Sequence, residues 1–158
     1  MNLLITGASS ALASRLVSLL LERGNFTFRL LENRSPARMD ACETVSGNLN
    51  DPDSLDRACQ KMDGVLHLAA LTHSRNDAEY FRVNLEGTQN LINSCKRNAV
   101  RRFIYISSAA GSRDGGAYGL SKLESEELIH KSGLQWIILR PSEVYGPQME
   151  KGIGKLIK

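Results

Sequence analysis

Asn2-Leu3-Leu4-Ile5-Thr6-Gly7-Ala8-Ser9-Ser10-Ala11-Leu12-Ala13 is the stretch whose reading decides the fold. Its apolar, β-branched start predicts a strand over residues 2–6. Gly7 breaks that strand, and Leu12, Leu16, Leu19 and Leu20 then mark one face of a helix reaching Glu22. A strand that turns through a glycine into a helix N-terminus gathers unpaired backbone N–H groups and the positive end of the helix dipole at one point. That point suits an anion.

Outward from this unit the same alternation repeats. Strands are predicted over 26–31, 44–46, 64–70, 102–107 and 134–139, with helices over 53–62, 80–98 and 118–131. Asp51-Pro52 supplies a cap and a preset first turn for the helix that follows. Strands buried on both faces and joined by helices predict an α/β fold: a doubly wound parallel sheet of about six strands with helices on both faces. In such sheets ligands sit beyond the carboxyl ends of the strands, which directs attention to the segments just after each strand.

Composition narrows the function classes. The 158 residues fit a single domain, residues 1–158, and 42% hydrophobic with 23% charged residues excludes a disordered or fibrous chain. Net charge is +3, and the one basic cluster, Lys96, Arg97, Arg101 and Arg102, straddles a helix end and the next strand. That reads as a solvated turn, so no nucleic-acid partner is expected. Cys42, Cys59 and Cys95 are odd in number and widely spaced, which gives no metal pair, no redox pair and no disulfide framework. With no signal peptide and no apolar run near membrane-spanning length, the expected location is the cytoplasm, with no membrane and no metal.

Tyr118-Gly119-Leu120-Ser121-Lys122 places a phenol and an ammonium four residues apart, on one helical face. A phenol is a weak base at neutral pH, and a neighbouring ammonium favours its ionised form. Ser107-Ser108 follows the fifth strand, and Arg140-Pro141 closes the sixth. His67 stands inside a strand and reads as a core or supporting histidine; His73 and His130 belong to no constellation.

Taken in order, these features form a pattern: Gly7 after strand one, His67-Leu68-Ala69-Ala70, Asn84 with Gly87-Thr88 and Asn90, Ser107-Ser108, the Tyr/Lys pair, then Arg140-Pro141 with Val144-Tyr145-Gly146-Pro147. The pattern resembles the extended short-chain dehydrogenase/reductase superfamily, in particular its NAD-dependent epimerase/dehydratase group acting on nucleotide sugars. That resemblance implies a Rossmann fold and a catalytic set of Ser108, Tyr118 and Lys122. It also implies a dinucleotide held by Gly7, Ser10, Ala11, Leu12, Glu32, Asn48, Leu49, Leu68, Ala69, Ala70, Ser107, Tyr118, Lys122, Pro141 and Val144.

The glycine loop departs from the family pattern, with Ser10 for the second glycine and Ala13 for the third; weakened but retained binding is expected. Glu32, at the end of the second strand, would accept hydrogen bonds from the adenosine ribose and repel a 2′-phosphate, favouring NAD, while Arg34 leaves NADP open. Asn48 stands where the family has an aspartate beside the adenine, and Asn84 would brace the central helix. The resemblance further implies a nucleotide-sugar substrate, a homodimer through a four-helix contact, and a carboxy-terminal substrate domain that is absent or truncated here. The alternatives are an NADP-dependent carbonyl reductase and a non-catalytic dinucleotide sensor or scaffold.

Overall fold

The computed structural model describes residues 1–37 and 39–144. Among them, six strands form one parallel sheet: β1 (Asn2–Thr6), β2 (Thr27–Glu32), β3 (Glu43–Ser46), β4 (Gly64–His67), β5 (Arg102–Ile106) and β6 (Gln135–Leu139). Their order is β3-β2-β1-β4-β5-β6, so the strand order reverses between β1 and β4. The connecting helices are α1 (Ala11–Glu22), α2 (Pro52–Cys59), α3 (Asp77–Tyr80), α4 (Gly87–Arg97) and α5 (Gly116–His130). A π-helical segment, Phe81–Glu86, joins α3 to α4.

Period-two alternation sorts the sheet residues onto two faces. Leu3 and Ile5 of β1 pack with Phe28, Leu30 and Leu66 against Ala13 and Val17 of α1. Leu4, between them in sequence, points the other way, with Leu31, Val65, Phe103 and Tyr105, against α2, α4 and α5. The doubly wound arrangement is therefore as expected, with helices on both faces.

Three differences from the sequence-based expectation have physical causes. β4 stops at His67 instead of Ala70 because its neighbour β1 turns away at Gly7; the next amides bond to Thr6 itself, Leu68 N to its carbonyl and Ala69 N to its hydroxyl. The helix after Asp51 ends at Cys59, short of Met62, and the chain passes through Lys61 at φ +61° to enter β4. Burial on both faces holds for the central strands and fails at the edges. Ile137 and Leu139 of β6 are 54% and 49% exposed, and β3 is mostly exposed.

Candidate active site

At the point of strand reversal, the loops leaving β1, β2, β3 and β4 enclose a crevice of about 410 Å³. One wall is the turn Gly7 to Ser10, another is Leu68 to Leu71, and the outer end is made by Asn33, Arg34 and Ser35 with Asn48 to Asn50. Gly7 is required twice over. Its φ is +69°, and a Cβ there would lie 2.6 Å from the backbone nitrogen of Ala69. Only a residue without a side chain lets the β1 turn close against the β4 loop.

Ser10 has a local task. Its Oγ accepts a hydrogen bond from Ala13 N at 3.2 Å, capping α1. Sequence reasoning compared Ser10 with a glycine and missed this role, although Ser before a helical run is a cap signal. Ala11 and Leu12 form the first turn of α1 and lie outside the crevice lining. Leu49, Leu68, Ala69 and Ala70 line it. Asn48 also lines it, but its Oδ1 accepts from Asn50 N at 2.9 Å, leaving the amide NH2 as the group it offers. Glu32 is turned into its own loop: Oε1 accepts from Ala37 N at 2.6 Å, and the side chain is not part of the lining.

A second cluster stands at the carboxyl end of β5. Lys122 is almost completely buried; its Nζ donates to the Ile106 carbonyl at 2.8 Å and sits 4.1 Å from the centre of the Tyr105 ring. Burial brings its pKa down to about 7, with a partial upward pull from Glu126. Burial is the largest single influence on the Glu126 carboxyl and would raise it, but hydrogen bonds from Arg140, the nearby Ser107 hydroxyl and the charge of Arg140 together outweigh this and hold it below the usual range. Ser108 Oγ accepts from Ala110 N at 3.1 Å, which leaves its proton free to be donated. Ser107 is buried; its Oγ makes no hydrogen bond of good geometry among the described residues, but lies near enough to the Glu126 carboxylate to help hold it ionised. Tyr118 is half-buried in the first turn of α5, its ring edge-on to Tyr80 with centroids 6.0 Å apart. Gly119 beside it lets the chain pass: a Cβ there would fall 2.2 Å from the Ala110 carbonyl oxygen.

Asn84 ties the two clusters together. Its Oδ1 accepts from Leu71 N at 2.7 Å, and its Nδ2 donates to the Leu71 carbonyl at 3.1 Å and to Ser121 Oγ at 3.0 Å. Leu71 belongs to the crevice wall, while Ser121 lies between Tyr118 and Lys122. Asn84 occurs within the π-helical segment, where the extra residue per turn re-aims a side chain.

Beneath Asn84 a polar chain runs through the core. Thr88 donates to the Asn84 carbonyl, so His67 Nε2 must be the donor to Thr88 Oγ1 at 3.0 Å. His67 Nδ1 then accepts from the Thr6 hydroxyl at 2.6 Å, and Thr6 Oγ1 accepts from Ala69 N. Burial, helped by the charge on Lys122, lowers the His67 pKa to about 3, so the ring is neutral and its tautomer fixed. His67 is thus the supporting histidine its strand position suggested.

The Pro141 carbonyl accepts from Ala109 N at 2.9 Å, and half-buried Val144 ends the described chain. Tyr145-Gly146-Pro147 and the terminal residues 152–158 lie outside the described residues. No group of three or more His, Cys, Asp or Glu side chains able to hold a metal occurs among the described residues. Nor is any described helix long and apolar enough to cross a membrane.

Residues 3–158 match the model of the NAD-dependent epimerase/dehydratase family. A ceramide reductase of Caulobacter vibrioides is 32% identical over 95% of this chain and 48% of its own length. A UDP-glucose 4-epimerase of Vibrio cholerae is 26% identical over 99% of this chain and 56% of its own length. Among solved structures, a short-chain dehydrogenase/reductase superfamily protein of Agrobacterium tumefaciens with bound NAD is 28% identical, with a TM-score of 0.78 over 89% of this chain and 48% of that one. The Bordetella bronchiseptica enzyme WbmG in complex with NAD shares the fold at a TM-score of 0.86 and 24% identity, covering 98% of this chain and 57% of that one. The chain spans about half the length of these curated relatives, and 32% of a 3β-hydroxysteroid dehydrogenase/decarboxylase of Arabidopsis thaliana. With a family match across nearly all of its residues, on a sheet wound as that family requires, the chain belongs to the NAD-dependent epimerase/dehydratase family, whose cofactor is NAD.

Proposed function

We propose that this chain binds NAD along the crevice and supports epimerase- or dehydratase-type redox chemistry on a hydroxyl or carbonyl substrate, of the nucleotide-sugar class. The observation that carries this reading is the Asn84 bridge, which couples the crevice wall at Leu71 to the helix bearing Tyr118 and Lys122. The residues present fit the cofactor. The cradle at Gly7 admits no Cβ, and the turn Gly7 to Ser10 that lines the crevice leads into the N-terminus of α1, whose dipole favours a diphosphate. Leu68, Ala69 and Ala70 give that part of the crevice a small-residue wall.

Bound NAD supplies a hydride acceptor. The rest falls to side chains of this chain. Tyr118 takes the proton from the substrate hydroxyl, and Lys122, one helical turn further along α5, ties that helix to the end of β5 through the Ile106 carbonyl. Ser108, whose oxygen is already committed to Ala110 N, donates its proton toward the substrate oxygen as charge builds there. Asn84 and the His67 chain hold these groups in register and exchange no proton with substrate.

The test is Tyr118→Phe, assayed by nicotinamide absorbance with UDP-sugars and by calorimetry with NAD. The rate should fall by about 10²–10⁴-fold while NAD affinity stays within about threefold; retention of the rate would remove Tyr118 from the chemistry. The same reading includes a dimer. Leu85, Leu120, Leu123 and Leu128 line a half-exposed groove between the π-helical segment and α5, as a helix-pair contact requires. Light scattering should give twice the chain mass, and a monomer at high concentration would exclude that contact.

A further inference from the structure

The loop that leaves β4 is fastened twice from one stretch of helix, and in the same way each time. Asn84, in the π-helical segment, takes both backbone groups of Leu71. Tyr80, at the end of α3, does the same for Ser74: its hydroxyl accepts from Ser74 N at 2.8 Å and donates to the Ser74 carbonyl at 3.3 Å. Residues four apart lie one above the other on a helix, so a single face carries both anchors. Thr72 and His73, between the anchored residues, are exposed, so the loop is held by its ends.

Each anchor also reaches α5. Asn84 donates to Ser121 Oγ at 3.0 Å, and Ser121 donates in turn to the Tyr118 carbonyl at 2.7 Å, which ties down the Tyr118 backbone. The Tyr80 ring meets the Tyr118 ring edge-on, with centroids 6.0 Å apart and planes at 66°. Tyr118 is therefore gripped at two levels, its backbone through Asn84 and its ring through Tyr80. Tyr80 itself has little room to follow a moving partner, since it is buried and its hydroxyl is used as both donor and acceptor on Ser74. A phenylalanine would fill the same space; the hydroxyl makes the ring a fixed wall.

We propose that Tyr80 is a positioning residue for Tyr118, coupling the direction of that phenol to the loop after β4 so that the reacting hydroxyl keeps one orientation toward the crevice wall at Leu71. This role rests on Tyr118 being the proton acceptor. A small rotation at the base of a tyrosine side chain is amplified at its hydroxyl, and a misplacement of about 1 Å can cost about 10²-fold in rate. Holding the backbone alone, as Asn84 does through Ser121, leaves that rotation open; the Tyr80 ring closes it.

The chain has four tyrosines, so labelling it in full with 3-fluorotyrosine gives few fluorine resonances, and Tyr118→Phe identifies the Tyr118 signal by its loss. Tyr80→Leu removes ring and hydroxyl together. The Tyr118 signal should then shift toward that of free fluorotyrosine, and kcat with NAD and UDP-sugars should fall by about 10–100-fold while NAD affinity by calorimetry stays within about twofold. Tyr80→Phe keeps the ring; it should leave the Tyr118 signal in place, recover most of the rate and speed amide exchange at Ser74 by about five- to tenfold. In Tyr80→Leu, an unmoved Tyr118 signal, an unchanged kcat, or a loss of NAD affinity as large as the loss of rate would each overturn the positioning role. Should the leucine variant fail to fold, unchanged Ser74 exchange in Tyr80→Phe overturns it instead. A Tyr118→Phe variant that keeps its rate removes the proposed base and with it the purpose of the anchor; an unmoved signal beside an inactive Tyr118→Phe removes the anchor alone.

Discussion

The crevice and the polar network under Asn84 lie side by side at the carboxyl edge of the sheet, and they are finished differently. In the network, Thr6, His67, Asn84, Thr88, Ser121 and Ser125 are buried, and each has its hydrogen-bond partners inside the protein. In the crevice, the turn Gly7 to Ser10 and the loop 33–35 face open space. Groups already satisfied serve to hold a shape, whereas groups with spare capacity serve to hold a ligand. A substitution in the network should therefore be read in stability, and one in the crevice in affinity.

The sharpest way to break this contrast is Asn84→Leu. Leucine is close in size, but it leaves the Leu71 N–H and carbonyl and the Ser121 hydroxyl without the partners that Asn84 supplies. A buried group stripped of its partner costs about 1–3 kcal/mol, and here three are involved, one of which retains another bond. A loss of about 3 kcal/mol is expected, or about 6–12 °C in Tm for a domain of this size. Thermal unfolding followed by circular dichroism measures it. A shift below about 2 °C would mean that water or a rotated backbone replaces the amide, and the bridge would lose its standing as a structural element.

The contrast also accounts for what the sequence made legible. Period-two and helical patterns reported the strands and helices because burial is written directly into residue type, and Gly7 reported the turn because one conformation demands it. Side-chain capacity is harder to read. Glu32 sits where a ribose acceptor belongs, yet whether it faces the crevice depends on an amide five residues away. Ser10 looks like a damaged glycine until its Oγ is seen on Ala13 N. The π-helical turn that aims Asn84 has no distinct periodic signature over six residues, so residues 80–98 read as plain α-helix. Where the outcome depended on which partner a polar group finds, residue spacing alone did not decide it.

A smaller effect distinguishes two titratable members of the buried region, His67 and Lys122, by pH. The folded-state pKa of His67 is lowered from 6.5 to about 3, so its contribution to stability is full above 6.5 and is lost as pH falls from there toward 3. His67→Gln should be less stable at neutral pH, but flatter than the wild type through that acid window. Lys122 is lowered from 10.5 to about 7, so between those values the unfolded chain binds the extra proton and stability rises with pH. Lys122→Met should lose that alkaline rise. Urea midpoints across both windows, taken as differences from wild type, would measure each slope; parallel curves would show that these two groups are hydrated in the folded protein.

The smallest expected change is at Ser10, which lines the crevice while its hydroxyl is already satisfied in the first turn of α1. If the hydroxyl is only a cap, Ser10→Gly should cost a few tenths of a kcal/mol, because glycine is itself tolerated at that position, and Ser10→Ala about 1 kcal/mol. NAD affinity should stay equal or improve in the glycine variant, since a Cβ beside the diphosphate is removed without a lost ligand contact. A tenfold loss of affinity with unchanged stability would instead make the hydroxyl a phosphate donor, and would move Ser10 from the satisfied groups to those with capacity to spare.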